Sequence, residues 1–223
     1  MDSLTAYRSV IEKIAQATRS SKTRNEIELI VVSKTQTLEN ILSVYHLGQR
    51  IFGENYVQEL LDKRAALKHQ NILDLDFHFI GHLQTNKVKL LLPEVTTIHS
   101  IDSVKLLEEV EKRASDLNKK IKIYIQVNID QEDSKNGFSV DELDSVSSRV
   151  SNLRHISSLG LMAIPNPSLN SNESFQKLAQ ISLKYRKVLG SGLSMGMSED
   201  FEDAIACGAT SIRVGSAIFG ARK

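Results

Sequence analysis

Short apolar runs alternate with amphipathic stretches along nearly the whole chain. Leu4, Tyr7, Val10, Ile11 and Ile14 recur at helical spacing, which predicts an opening helix over 4–17. The run from Leu29 to Val32 predicts a first strand over about 28–33, leading into Ser33, Lys34 and a polar turn. Thr37 then N-caps a helix over about 38–47 that carries Ile41, Leu42, Val44 and Tyr45, and Gly48 closes it. A short strand over 50–53 precedes a helix bearing Tyr56, Val57, Leu60, Leu61 and Leu67. A third strand over 76–81 is followed by a helix that ends in Leu90, Leu91 and Leu92 before Pro93. The fourth strand is placed at 95–99, and a helix beginning near Asp102 sets Val104, Leu107, Val110, Ala114 and Leu117 on one face.

Strand five, over 121–129, alternates strictly: Ile121, Ile123, Ile125, Val127 and Ile129 face one way, Lys122, Tyr124, Gln126 and Asn128 the other. Ser139 and Glu142 form a capping box that opens the next helix. Strand six spans about 156–164 and ends at the turn of Pro165, Asn166 and Pro167. A helix over 172–189, a strand over 192–195, a short helix over 198–206 and a strand over 211–214 complete the chain.

About eight strand–helix repeats, without a break in composition, a long linker or a hairpin signal, predict a parallel sheet in one domain over 1–223. A closed (β/α)8 barrel or a doubly wound open sheet satisfies this order. The count of eight and a length near the usual ~250 residues favour the barrel. In a barrel the isoleucines of strand five pack outward on helices, and Tyr124, Gln126 and Asn128 point into the lumen. A polar lumen wall implies something polar at the top of the barrel.

Net charge is +1, which gives no electrostatic case for nucleic acid or an acidic membrane surface. No apolar run approaches the roughly 20 residues of a membrane span, and residues 1–8 lack a signal-peptide pattern. The single cysteine, Cys207, has no internal partner, fits a reducing cytoplasmic compartment and reads as a small buried residue within a helix. Monomer is the default expectation, since no large apolar patch can be read.

In such barrels functional groups cluster at the carboxyl ends of the strands. Lys34 sits at one of them; burial there would lower its pKa and suit an amine that attacks a carbonyl, whereas a lysine that snorkels to water is the alternative. The last two strands end in glycine-plus-hydroxyl turns, Gly196 with Ser198 and Gly215 with Ser216, where this fold commonly binds phosphate. Glu199 and Asp200, expected in the first turn of the short helix, would repel a phosphate unless they point away. Arg213 lies between the outward Ile212 and Val214, so its guanidinium faces the lumen and needs an acceptor; an ion pair with a lumen carboxylate is the alternative role. A lysine at one rim, a phosphate cradle opposite and an inward arginine between them match pyridoxal 5′-phosphate, which carries an aldehyde, a phosphate and a ring nitrogen. Gly192 to Gly196 fits a nucleophile elbow, but no histidine follows His155. His78 and His82 lack the helical geometry of a zinc pair, so no metal is expected. His46, His69, His99 and His155 read as surface or packing residues.

Val32-Ser-Lys34, Phe52-Gly-Glu-Asn55, His78 to Gln84 with Asn86 and Lys87, Gly160-Leu-Met162, Leu193 to Ser198 and Arg213 to Gly220 together resemble the YggS/PROSC family of pyridoxal phosphate homeostasis proteins, in the family's order and over nearly the whole chain. The resemblance implies a single (β/α)8 TIM barrel of the alanine racemase N-terminal type, without a second β domain. It implies a Schiff base between Lys34 and the cofactor, Asn55 near the ring and Arg213 facing the ring nitrogen. Ser198, Gly215 and Ser216 would hold the phosphate, and Met162 would line the pocket. His82 is the weakest match to the family's pattern. A guanidinium donor leaves the ring nitrogen unprotonated and weakens it as an electron sink. The sequence shows no second domain after the barrel and no tyrosine after Tyr185 to serve as a base. The expected function is therefore storage, buffering or delivery of pyridoxal phosphate to recipient enzymes. The alternatives are a pyridoxal-phosphate-dependent amino-acid racemase and a phosphosugar enzyme using Lys34.

Overall fold

The computed structural model describes residues 2–132 and 135–220. Its elements follow one another as helix α1 (Ser3–Ser20), strand β1 (Glu28–Val32), α2 (Leu38–Tyr45), β2 (Ile51–Glu54), α3 (Val57–His69), β3 (Asp76–Phe79), α4 (Val88–Leu91) and β4 (Thr97–Ile101). Then come α5 (Val104–Asp116), β5 (Ile121–Gln126), α6 (Leu143–Val150), β6 (Ile156–Met162), α7 (Ser171–Leu189), β7 (Gly192–Ser194), α8 (Phe201–Ala206), β8 (Ser211–Val214) and α9 (Ser216–Phe219). All eight strands pair in parallel in sequence order, and β8 returns to β1 with Glu28 beside Ser211 and Ile30 beside Arg213. The sheet is a closed barrel, which rules out the open doubly wound alternative.

Two layers of side chains explain the closure. Outward residues such as Val31, Phe52, Phe77, Ile98, Ile123, Ile125, Leu161 and Ile212 are fully buried against the helices. Inward residues are more polar: Tyr124 stacks on His99 with ring centroids 4.5 Å apart, so the polar side of β5 does face the lumen as expected. Lys122, on the same side, emerges exposed at the other end of the strand.

Most strands are shorter than predicted. The ladder nevertheless runs one bond further, as in Ile80 N–H to Glu54 C=O, Ala163 N–H to Ser194 C=O and Met195 N–H to Ser211 C=O. Strand four is displaced by two residues from its predicted place, since Leu92–Glu94 form a 3-10 turn around Pro93 and pairing starts at Thr97. The predicted helix before Pro93 is broken into a 3-10 turn over Thr85–Lys87 and the single turn of α4. In α1 the buried stripe is Ala6, Tyr7, Val10 and Ile14, whereas Leu4 and Ile11 are exposed on its flank.

Helix α8 starts at Phe201, not at 198, because residues 197–200 form a turn in which Met197 C=O accepts from the N–H groups of Asp200 and Phe201. Glu199 and Asp200 therefore precede the helix. Cys207 is a second correction: it caps the end of α8, half-buried, and does not lie within the helix. The capping box at Ser139 and Glu142 is present, opening a 3-10 turn that continues into α6.

Candidate functional site

A cavity of about 660 Å³ opens at the carboxyl ends of the strands, and Lys34, Asn55, Ser198, Arg213, Gly215 and Ser216 line it. Six of the seven residues expected at the site thus meet in one place. Met162 does not: it is fully buried in register with Ser194, and β6 reaches the cavity only two residues later, through Ile164 and Pro165. The presumed geometry also changes in one respect. The turns after β7 and β8 are not opposite Lys34, because β8 is the neighbour of β1; a Cβ on Gly215 would stand 3.1 Å from Val32 Cβ.

Lys34 lies two residues beyond β1 and is half-buried. Its backbone is clamped on both sides. Ser33 N–H donates to Gly53 C=O (3.0 Å), its hydroxyl donates to Glu54 Oε1 (2.7 Å), and its carbonyl accepts from Lys63 Nζ (2.6 Å). On the other side Thr35, at φ +64°, donates its N–H to Glu59. Lys63 joins the two acids, with Nζ 2.7 Å from Glu54 and 2.6 Å from Glu59. Glu54 is wholly buried and its Oε2 has no partner. Burial pushes its carboxyl above the usual range, and the Lys63 charge with hydrogen bonds from Lys63 and Ser33 only partly opposes this.

Arg213 is 4% exposed. It donates from Nη1 to Ser194 Oγ at 2.6 Å and from Nη2 to Ala163 C=O at 3.1 Å. Both acceptors are neutral, so the alternative of a directly paired lumen carboxylate gives way. Burial lowers its pKa to about 10, against the opposing charges of Asp200 and Tyr124, so the guanidinium remains a cationic donor at neutral pH. Asn55 follows β2, and its buried Oδ1 lacks a partner. Its backbone is tightly packed: a Cβ on Gly81 would come 2.3 Å from Asn55 O.

At the ends of β7 and β8, Ser198 Oγ accepts from Gly215 N–H and Ala217 N–H, both at 3.2 Å. Gly196 holds φ +91°, a conformation L side chains rarely adopt, and a Cβ there would meet Ala204 Cβ at 2.5 Å. The carboxylates expected to disturb this end are partly disarmed, as Asp200 Oδ1 accepts the Met197 N–H at 2.7 Å. Glu199, Asp200 and Asp203 nonetheless share the wall with Lys34, Lys135 and Arg213.

These residues fit pyridoxal phosphate by their chemistry. They combine an amine, a buried cationic donor, an orphaned amide oxygen and a cluster of backbone N–H and hydroxyl groups in one cavity. Sequence reasoning missed Lys135, which donates to Pro165 C=O (2.9 Å) and pairs with Glu132 (2.6 Å); its irregular loop carries no periodic signal. It also missed the lumen role of His99, which is fully buried and bonded to both Ser194 and His78. His82 pairs with Asp102 (2.8 Å) and lines a neighbouring cavity of about 230 Å³, not this one.

The alanine racemase N-terminal domain family matches residues 4–223. The pyridoxal phosphate homeostasis protein of Haemophilus influenzae is 37% identical over 219 residues, which cover 95% of this chain and 92% of the relative. That of Aquifex aeolicus is 41% identical over 222 residues, 96% of each chain. The structure of PipY from Synechococcus elongatus with pyridoxal phosphate bound superimposes with a TM-score of 0.82 at 33% identity, covering 94% of this chain and 99% of that one. The chain belongs to the alanine racemase N-terminal domain family and, within it, to the pyridoxal phosphate homeostasis proteins.

Proposed function

We propose that this protein binds pyridoxal 5′-phosphate through Lys34 and stores, buffers or delivers it to pyridoxal-phosphate-dependent enzymes, without efficient catalysis of its own. The observation that carries this reading is the single cavity shared by Lys34, Arg213 and the Ser198–Gly215 turn. The names of the relatives and the cofactor held by PipY support it. When bound, the cofactor supplies an aldehyde that condenses reversibly with a primary amine.

The chain's own residues then divide the work. Lys34 offers the amine from a backbone clamped by Glu54, Glu59 and Lys63. Arg213 would donate to the ring nitrogen and, being a cation itself, would leave that nitrogen without a proton, which favours binding over carbanion chemistry. Ser198 and Ser216 would hold the phosphate through their hydroxyls, beside the Gly215 N–H that donates to Ser198 Oγ. Among the described residues no tyrosine, histidine or cysteine lines the cavity, and the groups on its wall that could move a proton are Lys34, Lys135, Glu199, Asp200 and Asp203. Exposed residues at the rim, Thr35, Met197 and Ser216, keep the mouth in contact with solvent, as exchange with other amines requires. Among the described residues no helix is long and apolar enough to cross a membrane.

Mixing the cofactor-loaded protein with the cofactor-free form of a pyridoxal-phosphate enzyme tests this. The expected result is restored enzyme activity, together with alanine racemisation no faster than with free cofactor. Racemisation far above that background, or cofactor that never leaves the protein, would contradict the proposal.

A further inference from the structure

Beneath the cavity, a line of polar side chains crosses the barrel lumen from Arg213 to the far end of β3. Arg213 Nη1 lies 2.6 Å from Ser194 Oγ, which lies 2.8 Å from His99 Nδ1. His99 Nε2 lies 3.1 Å from His78 Nδ1, and His78 Nε2 lies 3.5 Å from Asp76 Oδ2. Asp76 Oδ2 also accepts from Thr96 Oγ1 at 2.6 Å. These contacts join β8, β7, β4 and β3, and both histidines are buried.

Only one arrangement of protons satisfies the line in full. A guanidinium has no lone pair to accept with, so Ser194 Oγ is an acceptor from Arg213 and its own hydrogen must go elsewhere. His99 Nδ1 is the acceptor within reach. His99 then carries its proton on Nε2 and donates to His78 Nδ1, and His78 carries its proton on Nε2, directed at the Asp76 carboxylate. We propose that Ser194, His99, His78 and Asp76 form a one-way hydrogen-bond chain that fixes the Arg213 guanidinium as donor to the cofactor's ring nitrogen, with both imidazoles neutral. The proposal rests on the cofactor reading above and makes these four positioning residues, since none of them lines the cavity.

The surroundings agree. The titratable groups that face the two imidazoles are Glu28 on β1, Asp76 on β3, Tyr124 on β5 and Arg213 on β8. Complete burial, with the Arg213 guanidinium nearby, drives His99 well below the ordinary imidazole range, which keeps it neutral. Glu28, His78 and His99 also bring ligand atoms within 4.8 Å of one another, as a metal site would. A cation on His99 Nε2 would move the proton to Nδ1. Ser194 would then receive two donors, and its own hydrogen would lose the acceptor that His99 provides. The hydrogen-bond chain accounts for the same atoms without that loss.

Two measurements test the chain. In the wild-type protein, 15N NMR of the histidine rings is expected to show His78 and His99 neutral at pH 7 with the proton on Nε2. A cationic ring, or a proton on Nδ1 of either, overturns the proposal. Second, binding of pyridoxal phosphate is compared with binding of its benzene analogue, in which CH replaces the ring nitrogen while aldehyde and phosphate remain. The wild type is expected to prefer the natural cofactor, and Ser194→Ala or His99→Gln to lower that preference about tenfold with the analogue's affinity unchanged. Equal losses for both ligands mean a merely structural role and overturn it. A wild type that binds both ligands equally also overturns it but leaves the Lys34 reading intact, because both carry the aldehyde. A wild type that binds neither overturns both.

Discussion

Lys63→Met is expected to destabilise the protein by about 3–5 kcal/mol, because it leaves a buried carboxylate without its counter-ion. Glu54 is wholly enclosed between β2 and α3, and its one partnered oxygen is held by Lys63 at 2.7 Å and by the Ser33 hydroxyl. Removing the ammonium strips three acceptors at once: Glu54, Glu59 and the Ser33 carbonyl. Urea unfolding reads the loss. The double variant Glu54→Leu with Lys63→Met is expected to recover much of it, since a buried ion pair can often be exchanged for apolar side chains of similar volume at little cost. The same cluster fixes the backbone on both sides of Lys34, so the single variant should also bind cofactor more weakly at temperatures where it remains folded. An unfolding free energy within about 1 kcal/mol of wild type would mean that the cluster matters little.

Gly196→Val is the second large change. At φ +91° a side chain costs about 1–2 kcal/mol, and the added Cβ meets Ala204 Cβ at 2.5 Å, inside the first residues of α8. Overpacking of this kind adds about 1–3 kcal/mol. The turn between β7 and α8 must therefore open, taking Ser198 away from the Gly215 and Ala217 N–H groups. Ser198→Ala separates site from fold: it should cost only about 1 kcal/mol of stability, for the two backbone N–H groups that lose their acceptor. It should weaken pyridoxal phosphate binding about tenfold, with no effect on pyridoxal, which lacks the phosphate. Equal weakening of both ligands would place the phosphate elsewhere.

Much of this architecture is visible in the sequence because it is local. Strand β5 announces itself by alternation, α5 by a stripe of Val104, Leu107, Val110 and Ala114, and α2 by its Thr37 cap. Lys34, Ser198 and Arg213 stand out for the same reason: each follows or occupies a strand whose inward side can be counted. Elements without a clean period are misplaced. The helix before Pro93 breaks at Lys87 into a 3-10 turn and one α turn, and β4 begins two residues late because pairing with β3 and β5, not local propensity, decides where it starts. The motif alone places Met162 in the pocket, while the level at which a lumen side chain lies depends on the stagger of neighbouring strands. The clamp on Ser33 by Lys63 and the bond from His99 to Ser194 join residues 30 and 95 positions apart. No one-dimensional pattern carries such pairs. They exist only once the barrel is closed.

Lys34 is the residue expected to hold the cofactor covalently. The most direct test is to load the purified protein with pyridoxal phosphate, reduce it with borohydride, and locate the modified residue by peptide mass spectrometry. Modification at Lys34, abolished in Lys34→Ala while the fold persists, is the predicted result. Modification confined to another lysine, or no modification of a protein loaded to saturation, would contradict it.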